Sequence, residues 1–559
     1  MSEKENPRPR EDLILGFEED ARPPSVLTDT HVETSSVERP NEQYRNIYGA
    51  AINLETALPG GSPVYNAKSQ LLNEALLDIG MGRYQWSLAL VTGLGWFLDS
   101  FWMSSFSFVQ PAIKHEATFY AEHNTYLAVS QYVGLTLGAF VLPMMTDFIG
   151  RKNLFNLTLA IMGFAGLVGA GMPAFSGLCV VSFFMGIAAG GNQSIGAAIL
   201  VEILPSSHQY LLTMQGVFSA LGKLLAAAFA LPLMTQFACP ANATERRCHY
   251  VMNMGWRYTW WTLGTITLFL CLLRFCCHLH ETPKYLLAQG RDAEVVKTVR
   301  SLAVYSGKRT WLNMTHLRKI EEDLEDSARE VPETGGFVAL QQSLHAFTPT
   351  WVKALLAPEH NARSTTLLLV AISVLLGLAL PLFDAFISRY LLAARSLTVA
   401  QDFAAANAWT YKIYMFQALC ALPGPLAAGL LIETRPLGRR RVAALASALA
   451  GVFLFVYAGA ARSLGGVVAF SCVAAFFQNA ALSLLVAYTA EAFAAPVRGT
   501  ALGVVGGAGK LFGFVAAVVS AFVSGDGAGA PVWVAAALWV VAGAAWMLLR
   551  VETKARAAA

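Results

Sequence analysis

Charge is what this sequence has least of. Only 14% of its 559 residues are Asp, Glu, Lys or Arg, where soluble domains carry about 25%. Set against 55% hydrophobic residues and a mean hydropathy of +0.48, that scarcity excludes an ordinary soluble globule and points to an integral membrane protein. A net charge of +3 is too small to imply a nucleic-acid partner. Cysteine and histidine are also sparse, at 8 and 10. No CxxC or Cys/His cluster has metal-ligand spacing, so neither a metal nor another cofactor is expected. A nucleophile–base set and a phosphate-binding loop are missing too, which leaves an enzyme without support. No cleavable leader is read at the N-terminus.

What is present is long apolar runs. Segments of spanning length fall near 87–111, 124–146, 154–172, 177–201, 211–237, 259–279, 365–388, 409–432, 443–460, 465–488, 500–523 and 531–549. Each approaches the roughly 20 residues that a bilayer requires, so twelve transmembrane helices are expected. Ahead of them, residues 1–84 are polar with acids and prolines mixed. They read as a mostly disordered cytoplasmic tail ending in a short amphipathic helix within KSQLLNEALLDIGMGRYQW. A polar stretch, 281–362, separates two six-helix halves at 85–280 and 363–550, and its HLRKIEEDLEDSARE reads as a solvated helix. Residues 551–559 form a short tail.

Basic residues set the orientation. Arg151 and Lys152 follow the second span, Arg439, Arg440 and Arg441 follow the eighth, and many more fill the central loop. Those loops and both termini are expected in the cytoplasm, with the plasma membrane as the expected home. CPANATERRC, after span five, then lies outside, where Cys239 and Cys248 can form a disulfide. Asn242 is an accessible glycosylation sequon there, used or unused.

The second half restates the first. TDFIGRKN (146–153) follows span two and ETRPLGRRR (433–441) follows span eight, with Gly150 and Gly438 separated by 288 positions. EILPSSHQ (202–209) closes span four and EAFAAPVRG (491–499) closes span ten, with Glu202 and Glu491 separated by 289. ETPK (281–284) follows span six and ETKA (552–555) follows span twelve. A six-plus-six repeat with sites between the halves is the architecture of many secondary transporters.

DFIGRK and PLGRRR resemble the loop signature of the major facilitator superfamily. EILPSSHQ, EAFAAPVRG, ETPKYL and VETKA resemble the motifs of its sugar-porter group. GMGRYQW…GWFLDSFWMS, AAGGNQ and GWRY are closer still to the organic-ion and synaptic-vesicle-protein-like transporters beside that group. The resemblance covers roughly residues 70–555 and implies an all-α fold of twelve helices in two pseudo-symmetric halves. It further implies that helices one, four, seven and ten line a central cavity, with five and eleven at the interface of the halves. Asp147, Arg151, Glu202, Arg439, Glu491 and Arg498 then belong to a cytoplasmic gate whose salt bridges hold the outward-facing state. One departure bears on that gate. Gln209 stands where the pattern has the arginine that the second half keeps as Arg498, leaving the pairing of Glu202 in doubt. The glutamine repeat that sugar porters carry on helix seven is also absent, which weakens a hexose assignment.

Four charges lie well inside the spans: Asp99, Lys223, Asp384 and Lys510. The aspartates are 285 positions apart and the lysines 287, so each pair occupies equivalent places in the two halves. A carboxylate at the bilayer centre costs at least roughly 2.5–3.5 kcal/mol, which makes each a functional candidate by default. Asp99 and Asp384 are candidates for proton coupling, with a structural carboxylate or a hydrated helix end as the alternatives. Lys223 and Lys510 can bind an anionic substrate or neutralise the aspartates in an ion pair. Asn192, Gln193, Gln478, Asn479, Tyr411, Tyr414 and Gln417 can hydrogen-bond a solute or join helices. Trp96 and Trp102 flank Asp99 and can wall a site or simply pack. The expectation is a monomeric alternating-access transporter, a proton symporter of a small organic solute, with an organic acid favoured over a hexose. Efflux of a drug-like metabolite and a non-transporting solute sensor are the alternatives.

Overall fold

The computed structural model describes residues 63–114, 124–237, 253–275, 279–325, 362–396, 403–434, 436–460, 464–522 and 530–553, with Glu116, Val251 and Leu355 besides. Cys239, Asn242 and Cys248 lie outside the described residues.

The amphipathic stretch before the first span is helix α1 (Pro63–Ile79). Proline suits its first position, where a missing N–H breaks no intrahelical bond. Gly80, at φ +61°, and two further residues turn the chain into α2 (Arg83–Lys114). There follow α3 (Asn124–Ile149), α4 (Arg151–Ala170), α5 (Phe175–Ile203), the short α6 (Tyr210–Met214) running into α7 (Gly216–Gln236), and α8 (Gly255–Phe275). Three small helices come next: α9 (Pro283–Ala288), α10 (Asp292–Tyr305) and α11 (Met314–Glu325). The second half contains α12 (Ala362–Ser396), α13 (Phe403–Ala421) running into α14 (Pro423–Ile432), α15 (Gly438–Ala460), α16 (Leu464–Ala492), α17 (Ala495–Phe522) and α18 (Ala530–Leu548). Ten of these spans are long and apolar enough to cross a bilayer. The others are α2, which carries Asp99, and α8, which carries Arg257 and Arg274; with them the twelve-helix arrangement is complete.

Glycine sets how closely the helices approach. Gly134 and Gly138 on α3 face Gly186 and Gly190 on α5, and a Cβ at any of the four would strike backbone of the partner helix. This small-xxx-small packing lets two backbones touch where lipid supplies no hydrophobic drive for association. The seam between the halves runs where α17 packs on α3 and α13 packs on α7.

Spans five and eight are both interrupted, at Gln215 and Leu422. The second break has a chemical cause. Ala421 would normally accept a hydrogen bond from residue 425, but Pro425 has no N–H to give. Asn479 of α16 supplies the missing donor: its Nδ2 reaches the Ala421 carbonyl at 3.0 Å and the Gly216 carbonyl of α7 at 3.0 Å.

At one end of the bundle α1 packs with α9, α10 and α11, forming what is called here the capped end. The solvated helix expected in the central loop is instead partly packed. α11 buries Leu317 and Ile320, and its Glu321 meets Lys68 of α1 at 3.2 Å. An apolar stripe on each helix gives the two a common interior, which charge content alone concealed.

Candidate transport site and gate

The repeated loop motifs build one structure twice. Gly150 (φ +99°) and Gly438 (φ +66°) turn the chain into α4 and α15 through a conformation that disfavours side chains. A carboxylate then caps each new helix. Glu281 accepts the backbone N–H of Arg151 at 3.0 Å, and Glu552 accepts those of Arg439 at 2.9 Å and Arg440 at 3.3 Å. Backbone N–H groups at a helix start have no internal partner, so an anion there is held by hydrogen bonds and by the helix dipole. These two glutamates were visible in the sequence only as members of repeated motifs, and their capping role was not read from it.

Six residues assigned to a gate meet at this capped end. Glu202, fully buried, pairs with Arg498 from the other half and with Arg151 from its own. The pairing left in doubt by Gln209 is therefore filled across the seam. Arg498 also donates to the Ala490 and Phe493 carbonyls at 2.7 and 3.0 Å, and Arg151 donates to Ala495 O at 2.8 Å. Asp147 accepts the N–H groups of Gly499 and Thr500 at 3.2 and 2.9 Å. Arg439 and Glu491 instead pair within the second half, at 2.5 Å. Lys284 of α9 is buried nearby, and its ammonium is pushed well below the usual lysine range by burial, then by Arg498 and Arg151.

Ten residues up α5 from Glu202, or about 15 Å at helical rise, Asn192 organises the second layer. Its Oδ1 accepts from Thr158 at 3.0 Å; its Nδ2 donates to Gly95 O at 3.1 Å and to Asp99 Oδ1 at 3.0 Å. Asp99 is 8% exposed, and its other oxygen, Oδ2, has no hydrogen-bond partner among the described residues. The cation that acts on it electrostatically is Lys510, from the opposite half. Asp384 in turn interacts electrostatically with Lys223, and the two lysines repel each other. The electrostatic coupling among the four is thus crossed: the first-half aspartate feels the second-half lysine, and the second-half aspartate the first-half lysine. Lys223 and Asp384 are exposed, and Lys510 is half-buried.

A third layer lies nine residues beyond Asp99, or about 13 Å along α2. The Phe108 ring packs against Tyr411 and Tyr414 of α13 at 5.4 and 5.3 Å, and the Tyr411 hydroxyl donates to Phe108 O at 3.4 Å. The remaining candidates divide. Asn192 and Asn479 spend their amides on helix joining. Gln417 and Gln478 each have a buried Nε2 with no partner among the described residues, as does the indole nitrogen of Trp96. Gln193 is half-buried, with its backbone close to Asp99. Trp102 points into the first half, where its indole donates to Thr267 at 3.0 Å and its ring meets Trp260 edge-on. A cluster the sequence reading missed joins Glu116 bidentately to Arg257, at 2.8 Å twice, and to the Trp256 indole at 2.9 Å. GWRY was its only trace.

Two six-helix halves, a seam closed at one end by buried ion pairs and a group of intramembrane charges midway define a membrane carrier of the facilitator type. Residues 88–342 match the family described as Sugar (and other) transporter. The major facilitator-type transporter hxnZ of Emericella nidulans is 36% identical over 501 residues, 88% of each chain. The MFS siderochrome iron transporter 1 of Ceriporiopsis subvermispora is 35% identical, over 89% of this chain and 92% of the relative. Among solved structures, the proton:xylose symporter XylE bound to 6-bromo-6-deoxy-D-glucose superposes with a TM-score of 0.61 at 15% identity, covering 85% of this chain and 97% of that one. The chain belongs to the major facilitator superfamily and is a sugar-porter-like, multi-pass membrane transporter.

Proposed function

We propose that the protein is a proton-coupled symporter of a small organic solute, and that an organic acid suits it better than a hexose. The observation that carries this reading is Asp99. One oxygen of its buried carboxylate is held by Asn192, while the other has no hydrogen-bond partner among the described residues. A lysine of the opposite half acts on it electrostatically. Burying such a carboxylate ionised is costly, and taking up a proton relieves that cost. A charge that moves through 100 mV gains about 2.3 kcal/mol, enough to drive appreciable accumulation. Lys510 and Lys223 offer cations to an anionic solute, with Trp96, Gln417 and Gln478 as further donors around it. Asp384 takes a secondary place in the coupling.

The capped end is assigned to the cytoplasm, because Arg151, Lys152 and the Arg439–Arg441 run gather there. The gate of Glu202, Arg498, Arg151 and Asp147 then holds the outward-facing state, and the plasma membrane is the assigned home. Cys239–Cys248 pairing and Asn242 glycosylation fit the outer side in the same scheme. The test is uptake into proteoliposomes under an imposed pH gradient, with organic acids, hexoses and a ferric siderochrome in the panel. Accumulation that ignores the gradient sinks proton symport. Asp99→Asn is expected to abolish gradient-driven accumulation while preserving exchange; loss of folded protein instead marks Asp99 as structural.

A further inference from the structure

The last turn of α10 is fixed to the first turn of α2, the end at which that helix enters the bilayer. The Tyr305 ring meets Tyr84 edge-on at 5.9 Å. Ser306 donates to Gln85 Oε1 at 3.2 Å, the same oxygen that receives the Gly82 N–H at 3.0 Å. A side chain on Gly82 would overlap Ser306. Gly307, at φ +70°, then reverses the chain, so that the Lys308 N–H returns to the Ala303 carbonyl at 2.8 Å. The Lys308 ammonium ends 3.5 Å from where a side chain on Gly80 would begin. Residues 304–309 are thereby held at the level of residues 80–86.

What these two turns leave uncovered is of one kind. On α2, Arg83, Trp86 and Leu90 are exposed, three and four residues apart and so on one face. Trp86 is 54% exposed and Leu90 55%. A lipid-facing leucine one turn inside a tryptophan marks the boundary between hydrocarbon and headgroups, where tryptophan and tyrosine collect. At the same level Val304 is 77% and Tyr305 56% exposed, and Lys308 and Arg309 are exposed beside them. Residues 77–90 and 303–311 together contain three basic side chains, Arg83, Lys308 and Arg309, and one carboxylate, Asp78. Apolar side chains and net positive charge at headgroup depth are the chemistry that holds a protein surface against acidic lipid.

We propose that the first turn of α2 and the end of α10 form a binding surface for an acidic glycerophospholipid in the leaflet at the capped end. The lipid phosphate lies among Arg83, Lys308 and Arg309, and its acyl chains run along Trp86 and Leu90. Arginine offers phosphate a planar fork of donors and lysine a compact charge, so the three together select an anionic headgroup over a zwitterionic one. Val304 and Tyr305 enter the headgroup layer beside it, which ties α10 to the membrane surface as well as to α2. The surface continues the lipid-facing side of α2 and depends neither on the solute carried nor on proton coupling.

Fluorescence quenching on the full chain in phosphatidylcholine nanodiscs tests it. A minor fraction of the lipid is brominated phosphatidylglycerol or brominated phosphatidylcholine, and the Trp86 signal is obtained by subtracting that of Trp86→Phe. Brominated phosphatidylglycerol is expected to quench Trp86 the more strongly. Arg83→Gln, Lys308→Gln and Arg309→Gln should each lower the preference for phosphatidylglycerol about fivefold, and Lys308→Gln with Arg309→Gln about 25-fold. Lys297→Gln removes an equal charge from an exposed position of α10, eleven residues before Lys308, and should leave the preference unchanged. Equal quenching by the two lipids overturns the proposal, as does a preference that none of the three glutamine variants moves. An equal loss in Lys297→Gln would show an effect of net charge rather than a site, and overturns it too. Inorganic phosphate supplies the last arm: if it raises the melting temperature of delipidated protein in detergent, and Lys308→Gln abolishes the rise, the occupant is a soluble anion and the lipid assignment falls.

Discussion

Arg498 of α17 reaches across the seam to Glu202 of α5, and neither side chain is exposed at all. Breaking one side of a buried pair strands the other charge, at a cost of about 3–5 kcal/mol. Glu202→Gln takes a carboxylate from two buried arginines at once, because Arg151 shares it. We expect it to lower the melting temperature of the detergent-solubilised protein more than Asp147→Asn, whose carboxylate chiefly receives backbone N–H groups. Equal shifts would mean that the cross-seam pair contributes nothing special.

Asn479 and Pro425 make a compensating pair. Asn479→Leu leaves the Ala421 carbonyl without the donor that stands in for the proline's absent N–H, a loss of about 1–3 kcal/mol. Adding Pro425→Ala restores a backbone N–H at the position where the helix needs one. The double variant should therefore melt above the Asn479→Leu single. A double that melts at or below the single would show that the break in span eight has another origin.

The two capping glutamates predict a symmetry that thermal unfolding can read. Glu281→Ala and Glu552→Ala should each cost about 1 kcal/mol, the scale of a lost helix cap. The two caps serve different halves, so the double variant should lose close to the sum. Marked non-additivity would imply that the halves communicate through these loops.

Lys284 predicts a pH effect of definite sign. Burial, Arg498 and Arg151 depress its folded-state affinity for protons, so the unfolded chain binds a proton more readily. Stability therefore rises with pH between the depressed value and the ordinary lysine range near 10.4. Lys284→Met, which removes that burden, should stabilise the protein at pH 6–7, with the gain shrinking as pH approaches 10. A gain independent of pH would show that packing, not charge, is the cause.

Asp99 could be singled out from the sequence because it is a lone carboxylate in an apolar run, and its relation to Asp384 followed from the repeat. The repeat conveys equivalence, however, and not adjacency. Nothing in the spacing distinguishes Asp99 facing Lys223 of its own half from Asp99 facing Lys510 of the other. In the same way, Gln209 made Glu202 look unpaired, because the family pattern was read within one half. The arginine came from the other half instead. Asn192 and Asn479 stood out as polar residues in spans, but whether their amides face a solute or bind helices depends on neighbours hundreds of residues away. α1 was legible as an amphipathic helix; what its apolar stripe covers was not.

The sequence by itself determined the twelve spans, the six-plus-six repeat and the depth at which the charges sit. Hydrophobic length and periodicity are local properties, and a bilayer enforces them segment by segment. Only the tertiary structure decided which charge acts on which: the crossed coupling of Asp99 to Lys510 and of Asp384 to Lys223, and the grip of Glu202 on Arg498. Those pairings arise where helices from different halves approach one another, and the approach is set by glycines, prolines and the seam between the halves, none of which specifies a partner when read along the chain.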